Sequence, residues 1–240
     1  MSCSLCRNNV ELKKSHIIPE FLYKTLYDKK HRFHVLSTST ETPHRLLHKG
    51  LYERLLCEDC EQKFSAWEHY ASLALNGGIP LIISHKNNLI CISGLDYKKF
   101  KLFQLSILWR AGISKLSFFK NVQLGIHSEK IRKLLLSNEP GAHSRYGCVM
   151  IGITHEGEAL TDIIMPPSRI RIQSNVAYRF VFGGIMWVML VANHDHTSNL
   201  CNSFINPNGD TILIIREAME MQTLINFSKK LNFMNHNFRI

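Results

Sequence analysis

The chain has no low-complexity tract, no internal repeat beyond two similar cysteine pairs, and no apolar run long enough to cross a bilayer. Its longest strongly apolar stretch, Phe180 to Ala192, holds 13 residues and is interrupted by Gly183-Gly184, well short of the ~20 that a spanning helix needs. The start, MSCSLCRNNVELKK, lacks an apolar segment of signal-peptide length, so the chain is expected in the cytoplasm and without a membrane partner. No glycine loop has the spacing that cradles phosphates, and Gly183-Gly184 does not supply it. Acidic residues are also scarce, 19 against 29 Lys and Arg, for a formal charge of +10. That balance points to an acidic partner, nucleic acid first. The excess lies outside the first third: residues 1–72 carry 11 basic against 9 acidic groups, the remainder 18 against 10.

With 45% hydrophobic and 20% charged residues in 240, the composition is that of a folded globular protein of one large or two small domains. A boundary is expected near Asn76-Gly77-Gly78, dividing a module at 1–76 from a basic region at 77–240 whose role would be substrate or partner recognition. Within the module, Glu11 to Ile18 suits a strand stopped by Pro19. Residues 20–28 carry helical spacing, and 29–56 read as a loop-rich hairpin. Glu58 to Leu75 is helical, with Phe64, Trp67, Ala71 and Ala74 on one stripe.

Further along, helices are expected at Tyr97–Ile113, Ser128–Leu136 and Arg216–Leu231, the last with a stripe of Met219, Thr223, Phe227 and Leu231. Strands are expected at Leu81–Ser84, Leu89–Ile92, Cys148–Thr154, Ile170–Ile172, Tyr178–Phe182 and Thr211–Ile215. This order defines an α+β protein.

Seven cysteines in a reducing compartment are thiols or metal ligands rather than disulfides. Four form two Cys-x-x-Cys pairs, Cys3/Cys6 and Cys57/Cys60, each presenting two sulfurs from one tight turn. Two such knuckles make a closed tetrahedral site, so Cys3, Cys6, Cys57 and Cys60 are expected to hold one structural Zn²⁺. Cys91, Cys148 and Cys201 stand alone and are expected to be buried small hydrophobes.

Between the pairs lies Ser15-His16-Ile17-Ile18-Pro19, and the second pair opens a helix in Leu55-Leu56-Cys57-Glu58-Asp59-Cys60-Glu61-Gln62-Lys63-Phe64. Over about residues 1–75 this resembles the HNH endonucleases of the ββα-metal, or His-Me finger, nucleases. The resemblance implies a metal-dependent endonuclease hydrolysing DNA phosphodiesters, in a setting such as bacterial genome defence, built on a zinc-stabilised ββα-metal module followed by a larger mixed α+β domain. It makes His16 the general base. It also implies a catalytic Mg²⁺ or Mn²⁺ held beside it, with Ser15 where the family has Asp or His, and Glu61 where it has His or Asn. The family's middle Asn has no counterpart, since Tyr52 and Glu53 occupy that neighbourhood. Taken alone, His16 also suits a packing role, and Glu61 an acidic residue in a first helical turn. The alternative reading is a zinc-organised subunit, catalytically decayed, that binds nucleic acid or a protein partner. DNA is expected ahead of RNA, and a homo-oligomer or a partner protein stays open.

Other groups carry two readings each. His44 or His48 could add a ligand, and Glu68 shares a helix face with Glu61. His194-Asp195-His196 is either a metal cluster or a polar turn. Tyr178-Arg179-Phe180 and Arg169-Ile170-Arg171 either stack bases and track phosphates or alternate on a half-buried strand. Lys98-Lys99 and Trp109-Arg110 are expected on a solvated helix face.

Overall fold

The computed structural model describes residues 1–35, 45–47, 50–192, 194–195, 199–226 and 228–229. The protein is mixed α+β. In the first third, strands β1 (Lys13–His16), β2 (Phe33–Val35), β3 (Arg45–Leu47) and β4 (Tyr52–Leu56) precede helix α1 (Glu58–Leu75). β1 pairs antiparallel with β4, placing His16 opposite Tyr52 and Ser15 opposite Glu53. β2 pairs with β3. Residues 20–26 form a 3-10 helix rather than an α-helix. Pro19 stands at its N-cap, and Tyr27 after it is extended, so the segment is one short run between a strand and a loop.

α1 begins directly after Cys57, with Glu58, Asp59 and Glu61 in its first turn, where carboxylates favour the positive end of the helix dipole. It ends at Asn76, and Gly77 takes the left-handed conformation at φ +73° that releases the chain. Cys60, Phe64, Trp67 and Ala71 form its buried stripe.

The remainder is an eight-stranded sheet with helices Tyr97–Ile113 and Ile126–Ser137 on one face and the C-terminal turns and helix on the other. β5 (Ile82–Lys86), β6 (Leu89–Ser93), α2 (Tyr97–Ile113), α3 (Ile126–Ser137), β7 (Cys148–His155), β8 (Glu158–Ala159), β9 (Met165–Ile172), β10 (Asn175–Phe182), β11 (Ile185–Val191) and β12 (Thr211–Glu217) follow in order. The strands lie as β5-β6-β12-β7-β11-β10-β9, with β8 on β7. All pairings are antiparallel except β12 with β7.

α2 has the expected bounds, and the structure shows its cap: the Asp96 side chain accepts from the Lys99 amide at 3.0 Å. Its surroundings are not those expected. Every residue from Phe100 to Ala111 is buried, Trp109, Arg110 and Lys101 included, so the solvated basic face reduces to Lys98 and Lys99 at its start. α2 runs between α1, α3 and the sheet. Phe64 and Trp67 of α1 pack with tilted rings 4.9 Å apart, and Phe64 meets Trp109 edge-on at 6.2 Å. On the other side Phe100 and Phe103 pack on Trp187 of β11. One apolar core therefore runs from Cys3 and Leu5 through α2 to Trp187.

The central strands β7, β10 and β11 are buried on both faces, which explains their nearly continuous apolar sequences, whereas the edge strand β5 is exposed. Met150, Tyr178, Phe180, Phe182, Trp187 and Met189 face the helices. Val149, Val181, Met186, Val188 and Leu190 face a second cluster closed by Phe204, Ala218 and Leu224.

Two expectations change here. The apolar stretch from Phe180 is a hairpin: Gly183 and Gly184, at φ +60° and +72°, make a two-residue turn joining β10 to an unforeseen β11. The expected helix from Arg216 begins later. β12 continues through Glu217 beside β7, a 3-10 turn covers Ala218–Glu220, and α-helix starts at Gln222. Its inward residue is Leu224, while Met219 is 67% exposed; Phe227 and Leu231 lie outside the described residues. No helix among the described residues is long and apolar enough to cross a membrane.

Candidate functional site

The two cysteine pairs meet. The thiols of Cys3, Cys6, Cys57 and Cys60 all lie within 4.8 Å of one another, and Cys6 and Cys57 sulfurs are 3.8 Å apart. A tetrahedral ion with ~2.3 Å bonds to sulfur, as zinc makes, sets its ligand sulfurs about 3.8 Å apart. The four thiols thus fit a metal ion such as zinc, and among the described residues they are the one group of three or more ligand side chains so gathered.

The turn that delivers the first pair is closed by the Arg7 amide on the Cys3 carbonyl at 2.8 Å, with Arg7 left-handed at φ +67°. The Ser4 amide bonds to Leu55 O at 2.9 Å, tying this turn to β4. The second pair straddles the start of α1, and the Cys57 amide donates to Cys3 Sγ at 3.3 Å. Burial raises the Cys3 thiol, but donors from the main chain of Cys6, Cys57 and Leu5 overcome it and bring the group down to about 7. Burial pushes the Cys6 and Cys60 thiols up. A bound cation would favour the thiolate form of all four.

Beside the cysteines, the β1/β4 hairpin lies against α1. Ser15 is fully buried and its Oγ donates to Glu61 Oε1, so the two candidate oxygen ligands are in direct contact. Burial raises the Glu61 carboxyl; the Ser15 hydroxyl and the Arg110 charge counter it, and Glu68 and Glu58 add to the rise. Alternation along β1 turns His16 the other way, leaving its side chain 27% exposed. His16 Nε2 lies 2.8 Å from Glu20 Oε2, and its ring meets the Tyr52 ring edge-on at 5.9 Å.

Arg110 ties these pieces together from α2. Its Nη1 donates to the His16 carbonyl at 2.5 Å, its Nη2 pairs with Glu68 Oε1 at 2.6 Å, and its Nε donates to Ser106 O at 3.2 Å. The guanidinium also lies over Phe64 at 5.3 Å. Glu68 is therefore the counterion of Arg110 rather than a solvated helix residue. Glu53 is turned away: it accepts from Ser114 Oγ and from the Lys115 amide at 3.0 Å.

The remaining candidates separate. Asp195 pairs with Arg145 at 3.0 Å, and His196, like His44 and His48, lies outside the described residues. Tyr178 and Phe180 are buried in the helix-facing core, so they cannot stack bases; Arg179 on the other face bonds to Ser168 Oγ at 3.1 Å and to Thr223 Oγ1. Arg169 and Arg171 are exposed on the edge strand β9. Cys148 is buried as expected, whereas Cys91 and Cys201 are only half-buried.

Comparison with protein families, with curated proteins and with solved structures finds no match for this chain.

The sequence reading passed over Glu20 and placed Arg110 on a solvated face, where the structure buries it. Glu20 sits four places after His16, immediately beyond Pro19, and its turn brings it back to the imidazole. Arg110 follows Leu105-Ser106-Ile107-Leu108-Trp109, and a lone arginine amid such residues signals a buried, paired cation.

Proposed function

We propose that the protein is a metal-dependent endonuclease of the HNH type that hydrolyses DNA phosphodiesters, with Zn²⁺ as structural ion in the four-cysteine site. The observation that carries the reading is the arrangement of two antiparallel strands and a helix, pinned by the cysteines, in which Ser15 and Glu61 are hydrogen-bonded and His16 follows directly on the strand. Ser15 and Glu61 offer oxygen donors, the kind that a hard cation takes. A bound Mg²⁺ or Mn²⁺ would stabilise charge building on the phosphate and the leaving oxygen. The neutral imidazole of His16, partly open to solvent, takes a proton from water near neutral pH. Arg110 holds the strand that carries it. The net charge of +10 attracts the phosphate backbone without reading its sequence.

The test is nicking of supercoiled plasmid by the purified chain with Mg²⁺ or Mn²⁺ at low salt. Cleavage that disappears in His16→Ala, with folding and zinc retained, is the expected result. Full cleavage by the variant removes His16 as the base.

One observation favours the second reading, a zinc-organised subunit that binds nucleic acid without cutting it: Ser15 is fully buried and already bonded to Glu61. DNA binding by the wild-type chain, with no cleavage in either metal, would select it.

A further inference from the structure

Resting on the nucleic-acid reading, which the nuclease and the binding subunit share, we propose that Lys120, Arg169 and Arg171 form one surface, at the β9 edge of the sheet, that grips the phosphate backbone of DNA. The positive charge of the chain is unevenly placed, since residues 97–128 and 163–194 contain no Asp or Glu at all. The fold packs these two stretches together. Asn121 Nδ2 donates to Pro167 O at 3.2 Å, the Gln123 amide donates to Tyr178 Oη at 3.1 Å, and the Tyr178 hydroxyl donates to Gln123 O at 2.5 Å. The segment after α2 therefore crosses β9 and β10 with Lys120 beside Asn121. Its start is tied to β4, where Glu53 accepts from Ser114 Oγ and the Lys115 amide, so it runs from the hairpin of the candidate site to the sheet edge.

Strand register directs the arginines. Arg169 lies opposite Tyr178 and Arg171 opposite Val176, both on the face that packs on α2, so the two guanidinium groups leave the sheet on the side that carries Lys120. Ile170 between them turns to the other cluster. All three cations are exposed, and among the described residues none of them is in an ion pair. Arg7, Arg110, Arg132 and Arg145, by contrast, each meet a carboxylate. Pro166 and Pro167 lack the amide that a further strand would need, so the arginines are not required to guard the start of this edge.

Two places apart on a strand, Arg169 and Arg171 stand about 7 Å from each other, the scale on which phosphates follow one another along a nucleic-acid chain. Each planar fork can take two oxygens of a phosphate, and Lys120 adds a point charge beside them. Contacts of this kind supply affinity and orientation without reading bases.

The test is the affinity of the full chain for a fluorescent duplex of random sequence, titrated against NaCl. The variant Lys120→Gln/Arg169→Gln/Arg171→Gln removes the surface. Its control, Lys29→Gln/Lys30→Gln/Lys86→Gln, removes as many exposed charges elsewhere, so the two differ in place and not in net charge. The slope of log affinity against log salt should become shallower by about 3 in the first variant, at roughly 0.9 per lost contact, with affinity down about 10²-fold near ~0.1 M salt. The control should stay close to wild type. Equal losses in the two variants, or none in the first, overturn the surface while the nucleic-acid reading stands. A wild-type chain without affinity for DNA at low salt defeats that reading and the surface with it. Loss of binding to phosphatidylserine vesicles in the first variant, with DNA affinity kept, would mark a membrane contact and also overturn the proposal.

Discussion

Arg110 reaches from the central helix to the carbonyl of His16 at 2.5 Å, while its other terminal nitrogen holds Glu68 at 2.6 Å. One guanidinium, 1% exposed, therefore fixes the strand carrying the candidate base and balances a carboxylate on α1 that is 21% exposed. Arg110→Ala leaves that carboxylate without its counterion and should cost about 3 kcal/mol. Arg110→Lys should recover only part, because an ammonium cannot reproduce the planar fork. Urea unfolding measures both, and a loss below about 1 kcal/mol for alanine would show that the tie is dispensable.

Ser15 and Glu61 give a second test. Ser15→Asp places a second carboxylate against Glu61 in a buried position, where like charges repel. The variant should unfold at a lower temperature than wild type without added divalent cation. Millimolar Mn²⁺ should restore much of the loss, since a ligand that binds only the folded state stabilises it. Loss of stability that Mn²⁺ leaves untouched would argue against oxygen ligation at this pair.

Lys101 should give the protein a pH dependence. Its ammonium is buried in α2, donating to Ala142 O at 2.5 Å and Arg145 O at 2.8 Å, and burial brings it down from 10.5 to about 7 against a smaller opposing pull from Asp195. Between those values the unfolded chain binds the extra proton and the folded chain does not. The contribution of Lys101 to stability therefore rises with pH across that window, by at most about 1.4 kcal/mol per unit. It is least favourable at and below pH 7. Lys101→Met should remove that slope, read as the wild-type-minus-variant difference in unfolding free energy from pH 7 to 10. Parallel curves would contradict it.

The turn between β10 and β11 is a further check on the fold. Gly183 is left-handed at φ +60°, and an added Cβ would stand 2.8 Å from Leu22 Cδ2. Gly183→Ala should cost about 1–2 kcal/mol from the backbone alone, visible as a lower thermal midpoint.

What could be read from sequence follows the strength of local signals. The two Cys-x-x-Cys spacings announced the gathering of four thiols, and α1 declared itself through its periodicity. The burial of α2 was hidden because Lys101 and Arg110 look like a solvated face; each is satisfied internally, by main-chain carbonyls and by Glu68 and His16. β11 was hidden because a sheet covered on both sides has no alternation to mark where one strand ends. The C-terminal helix was placed too early because Arg216 and Glu217 continue a strand whose pairing with β7 is long-range. Glu20 was invisible because only the turn after Pro19 brings it back to His16.

The most direct test of the central claim, that four cysteines hold a single ion that organises the site, is the metal content of the purified chain and of Cys57→Ser. One zinc per chain is expected in the wild type. The variant should be without zinc and lose the ordered packing of β1, β4 and α1, because the binding energy of such a site is largely folding energy. A metal-free Cys57→Ser protein as stable as the wild type would contradict the account.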